Sequence, residues 1–190
     1  AVRRQPKVAI IPTGTELVSP GQMPTAGEII EFNSTIFAAQ VREWGGEPVV
    51  FPITPDDYHE IKARTAEAAQ EADIVLLGAG SSAGSEDFSA RVIAELGEVF
   101  VHGVATRPGK PVILGQAKNK PAMGVPGYPG SAWLALELFL KPLLCGFLGL
   151  AVPELPQTQA WLARTVVSPL GMDDFVRVKL GPVGERLVAT

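Results

Sequence analysis

Four stretches of this 190-residue chain carry side chains that could do chemistry together. The first, "GAGSSAGSED" (78–87), places Gly80, Ser81, Ser82 and Gly84 between an apolar run and a helical pattern. Small residues there let backbone N–H groups approach an anion, and the helix dipole adds to the attraction. The loop has neither a Walker lysine nor the Rossmann spacing. Asp87 closes it, either as a helix cap, the reading favoured on the segment alone, or as a Mg²⁺ ligand beside a phosphate. The second and third stretches are two Pro-Gly-X-Pro turns, "RPGKP" (107–111) and "VPGYP" (125–129). Proline presets φ and glycine accepts positive φ, so each turn is stiff and low in entropy. Arg107 and Lys110 hold two cations on the first turn. Pro126, Gly127 and Ser131 bring backbone donors to the start of a helix on the second. Fixed cations beside preorganised donors suit a phosphate or another oxyanion. The fourth stretch, "TGTEL" (13–17), offers Thr13, Gly14 and the carboxylate of Glu16.

Those groups need a scaffold. "KVAIIP" (7–12), "EPVVFPI" (47–53) and "DIVLLGAG" (73–80) are short apolar runs, the signature of strands covered on both faces. Between them the spacing predicts a helix over 34–44 capped by Asn33 and closed by Gly45-Gly46. A second helix begins after Asp56-Asp57, with Tyr58, Ile61, Thr65, Ala68 and Ala72 on one stripe. One of the two aspartates is its cap, which leaves the other carboxylate unexplained. A third helix carries Phe88, Val92 and Leu96 inward. "EVFVHGV", "PVILG" and "PAMGV" supply three further strands, and a long helix starts near Ser131. Strands alternating with helices predict an α/β fold, a three-layer sandwich with a mainly parallel sheet. In such sheets ligands sit beyond the carboxyl ends of the strands, so "TGTE", "GAGSSAGSED", "GQAKNK" and "GVPGYPGS" are expected on one edge. Residues 1–150 read as one domain. Residues 151–190 read as a proline-rich linker and the opening of a small β domain, with a hairpin of "AWLARTVVS" and "DDFVRVKLG" through "PLGM".

Bulk properties narrow the choice. Hydrophobic residues make up 46% and charged residues 19% of the chain, enough for a real core. A net charge of −4 argues against a general nucleic-acid-binding surface, while a local basic cluster can still hold an anion. The one cysteine, Cys145, permits no intrachain disulfide and suits the reducing cytoplasm. The apolar run from Trp133 to Leu150 is broken by Glu137, Lys141 and Pro142, so it reads as a core helix rather than a membrane span. No signal peptide is visible, and the first residue is not methionine, so a piece of a longer protein is expected. His59 and His102 stand apart from any Cys/His cluster or Ser-His-Asp set.

Taken in order, "PTGTELV" with Asn33-Ser34, "AGSSAGSEDF", "RPGKP" and "GVPGYPGSAW" resemble the molybdopterin molybdotransferases, the MoeA-like family that includes gephyrin. The resemblance implies the molybdopterin-binding fold shared with MogA and MoaB over residues 1–150, and the family's C-terminal β domain beyond. It implies insertion of molybdate into adenylylated molybdopterin with Mg²⁺ present, releasing AMP. The family's acidic positions fall on Glu16, Asp56 and Asp87, with Asp87 and Asp56 as the metal candidates. Its basic positions fall on Arg107, Lys110 and Arg177 of "DDFVRV". A homodimer and a MogA-type adenylyltransferase partner are implied as well. Two departures stand out: Tyr128 occupies the place of an amide side chain, and Gly103 that of a basic residue. A MogA/MoaB-type adenylyltransferase and a non-catalytic molybdopterin-binding module are the alternative readings.

Overall fold

A computed structural model describes residues 3–79 and 88–190 of the chain. In chain order, β1 (Lys7–Ile11) precedes a short parallel pair, β2 (Leu17–Val18) and β3 (Ile29–Ile30). Then come α1 (Asn33–Glu43), β4 (Glu47–Val50), α2 (Tyr58–Glu71), β5 (Ile74–Ala79) and α3 (Phe88–Leu96). β6 (Gly97–His102), β7 (Thr106–Arg107), β8 (Ile113–Ala117) and β9 (Lys120–Pro126) follow. A 20-residue helical run, Pro129–Leu148, comprises α4 (Pro129–Ala135), a wide π turn (Leu136–Leu140) and α5 (Lys141–Leu148). After a segment at 151–160 with neither helix nor strand come β10 (Trp161–Leu162), β11 (Asp173–Asp174), β12 (Leu180–Val183) and β13 (Arg186–Ala189).

The main sheet has six strands in the order β4-β1-β5-β9-β8-β6. β4, β1, β5 and β9 are parallel; β8 runs against β9, and β6 against β8. Alternate residues of the central strands feed two separate cores, as the period of two requires. Val8, Ile10, Ile74, Leu76, Met123 and Val125 face α1 and the long helical run, while Ala9, Ile11, Val75, Leu77 and Ala122 face α2 and α3. These are the three layers expected from the alternating pattern. The long run is apolar and long enough to cross a membrane by composition, yet Ala132, Ala135, Leu136, Leu140 and Leu144 are spent on the sheet. Its wide turn lies just ahead of Pro142, where an α-helical ladder would require an N–H that proline lacks.

Three local expectations are corrected. Asn33 is the first residue of α1 rather than its cap; the flanking position is Phe32, and Glu31 caps instead, its carboxylate accepting the Ser34 N–H at 2.8 Å and the Ser34 hydroxyl. "GQAKNK" does not join the ligand edge. Because β8 is antiparallel, Lys118 (φ 50°) and Asn119 (φ 62°) form a tight hairpin at the opposite edge. The expected hairpin in the second unit also fails. β12 and β13 form it across Gly184, β10 pairs parallel with β13, and β11 leaves to pair parallel with β7. Of the two aspartates before α2, Asp57 is the cap, accepting the N–H groups of His59 and Glu60.

Two ion pairs lock elements together. Arg4 donates to both carboxylate oxygens of Asp73 at 2.6 and 2.5 Å, and the Lys7 N–H adds a bond of 2.9 Å. This pins the N-terminal segment to the start of β5. Asp73→Ala should therefore lower unfolding free energy by about 1–3 kcal/mol in urea titration, since Arg4 and the Lys7 amide lose their acceptor. Between α2 and α3, Lys62 donates to Glu95 at 2.6 Å, and this ammonium is the main cause of a Glu95 pKa lowered from 4.5 to about 2. A depressed carboxylate contributes stability above its unfolded pKa and loses it as pH falls through the folded one. Glu95→Gln should accordingly lower the thermal midpoint at neutral pH and flatten its fall between pH 4.5 and 2.

Candidate functional site

The edge formed by the carboxyl ends of β4, β1, β5 and β9 opens into a cavity of about 350 Å³. That lies within the ~300–1,000 Å³ usual for small-molecule sites. Thr13, Glu16, Asn33, Ser34, Pro126 and Gly127 line it, over an apolar floor that includes Ile10, Phe37 and Leu76. Tyr128 stands at the rim, 77% exposed.

The local backbone explains how these groups converge. Thr13 bridges to Thr54, and the Gly14 N–H donates to the Thr54 carbonyl at 3.1 Å. This ties the loop after β1 to the one after β4. The Thr13 hydroxyl donates to the Gly78 carbonyl at 2.7 Å, joining β1 to β5. Gly14 has φ 152°, and a Cβ there would lie 2.8 Å from Leu17 Cγ, so only glycine fits. The Asp56 N–H donates to the Thr15 hydroxyl at 3.1 Å, which brings the exposed Asp56 to the same loop pair. Across the cavity, Asn33 Nδ2 donates to the Gly127 carbonyl at 2.8 Å and tethers α1 to the second proline turn. Asn33 Oδ1 is buried without a partner among the described residues, an acceptor available to a ligand N–H.

The two proline turns meet beside this cavity. A Cβ at Gly109 would lie 3.7 Å from the Ser131 carbonyl, and Gly109 is buried with φ 107°. Lys110 is exposed on that turn, and its carbonyl accepts the Val104 N–H at 2.9 Å. The reversal of β8 makes this possible: the loop from β6 to β8 lies at the same edge as the carboxyl ends of the parallel strands. Arg177 reaches over from the second unit, where a Cβ at Gly130 would lie 3.0 Å from its Nη2. Arg107 is engaged differently, with its guanidinium gripping both oxygens of Asp174, Nε to Oδ1 at 3.1 Å and Nη2 to Oδ2.

Of the residues singled out in sequence, Thr13, Glu16, Asn33, Ser34, Pro126 and Gly127 share the cavity wall, and Gly14, Asp56, Arg107, Lys110, Ser131 and Arg177 stand on the same edge around it. Gly80, Ser81, Ser82, Gly84 and Asp87 lie outside the described residues. Sequence reading missed three contributors: Glu31, Thr15 and Asp174. An acidic residue just ahead of a helix is a readable signal for Glu31. Asp174 had no such signal, because its partner lies 67 residues away.

Asn33→Ala should cost about 1 kcal/mol in urea titration by releasing the Gly127 carbonyl. It should weaken ligand binding more, because the cavity then loses both its free acceptor and the set of the second turn.

Residues 9–145 match the family described as a probable molybdopterin binding domain. A molybdopterin molybdenumtransferase of Nostoc is 34% identical over 79% of this chain and 35% of its own length. One of Bacillus subtilis is 30% identical over 100% of this chain and 44% of its own length. Among solved structures, a molybdopterin biosynthesis MoeA protein of Pyrococcus horikoshii superposes with a TM-score of 0.78 at 37% identity, covering 98% of this chain and 45% of that one. A MoaB protein of a Thermus species, at 20% identity and a TM-score of 0.58, covers 78% of this chain and shares the fold. The chain thus spans less than half the length of its MoeA-type relatives. By sequence and by fold, it belongs to the molybdopterin-binding domain family of molybdenum cofactor biosynthesis.

Proposed function

We propose that this chain is the pterin- and oxyanion-holding part of a molybdopterin molybdotransferase, the enzyme that inserts molybdate into adenylylated molybdopterin and releases AMP. The observation that carries the proposal is the meeting of the two proline turns, Gly109 against Ser131, with Arg177 over Gly130. Lys110 and Arg177 are both exposed, and among the described residues neither has a carboxylate partner. Two uncommitted cations beside a helix start form a place where phosphate or molybdate charge is neutralised. The adjoining cavity has apolar walls, the free Asn33 acceptor and the exposed Tyr128 ring, which suits a flat heterocycle bearing N–H donors. Glu16 and Asp56 flank the entrance as proton acceptors or metal ligands.

Among the described residues no three His, Cys, Asp or Glu side chains converge as a metal centre. Mg²⁺ needs only one or two carboxylates when phosphates and water supply the rest, so the exposed Asp56 fits it, with Asp87 as the second candidate from sequence. When bound, the ion would withdraw charge from the phosphoanhydride. The chain's own part is positioning and charge neutralisation, which suffice for phosphoryl chemistry without a strong nucleophile. A homodimer and a MogA-type adenylyltransferase partner complete the proposal, and the free, buried Cys145 accords with a cytoplasmic setting.

The test is molybdate-dependent AMP release from adenylylated molybdopterin by the full-length protein. Release without ATP consumption supports the insertase. ATP consumption would indicate an adenylyltransferase of the MoaB type instead, and tight pterin binding without release a binding module. Lys110→Ala should lower kcat/KM by roughly 10²-fold, the usual effect of losing one charge-stabilising group. Asp87→Asn should leave pterin affinity nearly intact and greatly reduce turnover.

A further inference from the structure

Arg107, one of the two cations singled out on the first proline turn, spends its guanidinium on a neighbouring carboxylate. Its guanidinium meets both oxygens of Asp174, whose side chain is 8% exposed. The backbone reinforces the pair. β11 lies parallel to β7, with Asp173 opposite Thr106 and Asp174 opposite Arg107. The Asp173 N–H donates to the Ala105 carbonyl at 2.8 Å, and the Phe175 N–H to the Arg107 carbonyl at 2.7 Å. So a segment of the second unit is clipped, by strand pairing and a bidentate ion pair, onto the turn that carries Lys110. Three residues beyond Asp174, Arg177 comes to rest over Gly130, where a Cβ would lie 3.0 Å from its Nη2.

We infer that Arg107 and Asp174 are positioning residues: their ion pair fixes residues 173–177 on the first proline turn and thereby sets the Arg177 guanidinium over Gly130. The assignment deepens the oxyanion reading above and rests on it for the identity of the ligand. Geometry favours it over a direct role for Arg107, because a guanidinium holding a nearly buried carboxylate in both arms has little left to offer an anion. Leaving Asp174 without its cation would also strand a nearly buried charge, so the pair is self-enforcing. Lys110, exposed on the same turn, has no such partner among the described residues and is the cation this reading leaves for the anion.

The test uses the full-length protein with Asp174→Asn, which keeps shape and removes charge, Asp174→Glu, which keeps charge, and the exchange Arg107→Asp with Asp174→Arg. Two readouts are followed: the ¹⁵N signal of the Arg177 guanidinium, and molybdate affinity by calorimetry. In the wild type the Arg177 signal should stand apart from those of freely exposed arginines. Asp174→Asn should move it among them and weaken molybdate binding about tenfold, the scale of a lost charge-assisted contact. Asp174→Glu and the exchange should restore both in part, which a merely structural defect would not show. An Arg177 signal unchanged in Asp174→Asn would overturn the proposal. So would weakened molybdate binding in Arg107→Ala with the Arg177 signal unmoved, since Arg107 would then contact the anion itself. Should the wild type bind no molybdate while the Arg177 signal still follows Asp174, the positioning role stands and the oxyanion reading falls.

Discussion

Strand direction is the constraint on which the rest of the molecule depends. β5 lies between β1 and β9, parallel to both, and its residues from Ile74 to Leu77 are almost fully removed from water. A strand buried on both faces can satisfy its backbone polar groups only through its neighbours, so its direction fixes theirs. The carboxyl ends of four strands therefore open on one edge. β8 then runs the opposite way and returns the chain to that edge at its start rather than its end, which is why a turn between β6 and β8 can stand beside a turn after β9.

Local glycines let the edge close up. At Gly78 a side chain would press on the Thr13 amide at 3.0 Å, and the absence of one lets Thr13 bond the Gly78 carbonyl. The cavity is thus bounded by main chain as much as by side chains. Its acidic groups, Glu16 and Glu31, lie on the side of β1 and α1, while the exposed Lys110 and Arg177 stand outside its lining, at the proline turns.

Much of this was legible in sequence, for definable reasons. The strands β1 and β5 stand out as continuous apolar runs, and of the stripe Tyr58, Ile61, Thr65, Ala68 and Ala72, all but the half-buried Tyr58 are buried, with Ala72 just past the end of α2. Residues of the cavity wall carried by distinctive turn chemistry, such as Thr13, Pro126 and Gly127, are equally legible. What stayed hidden depended on contacts between distant segments. "GQAKNK" looked like any polar loop after a strand until the antiparallel pairing of β8 with β9 placed it at the wrong end of the sheet. The strand-like neighbours of β11 in sequence suggest a hairpin, whereas its pairing partner is β7. Asn33 has a capping residue's identity, yet its amide is used across the cavity, on Gly127.

The bulge between Val99 and Val101 in β6 has a consequence at the level of the whole molecule. β6 is one outermost strand of the six-stranded sheet, and β4, which contains Pro48, is the other. An open margin with a regular row of amides would invite a foreign strand to dock and the sheet to grow without limit. Here one margin is kinked and the other lacks an amide hydrogen at its second residue. Both flanks of the sheet thus offer a broken template to a foreign strand.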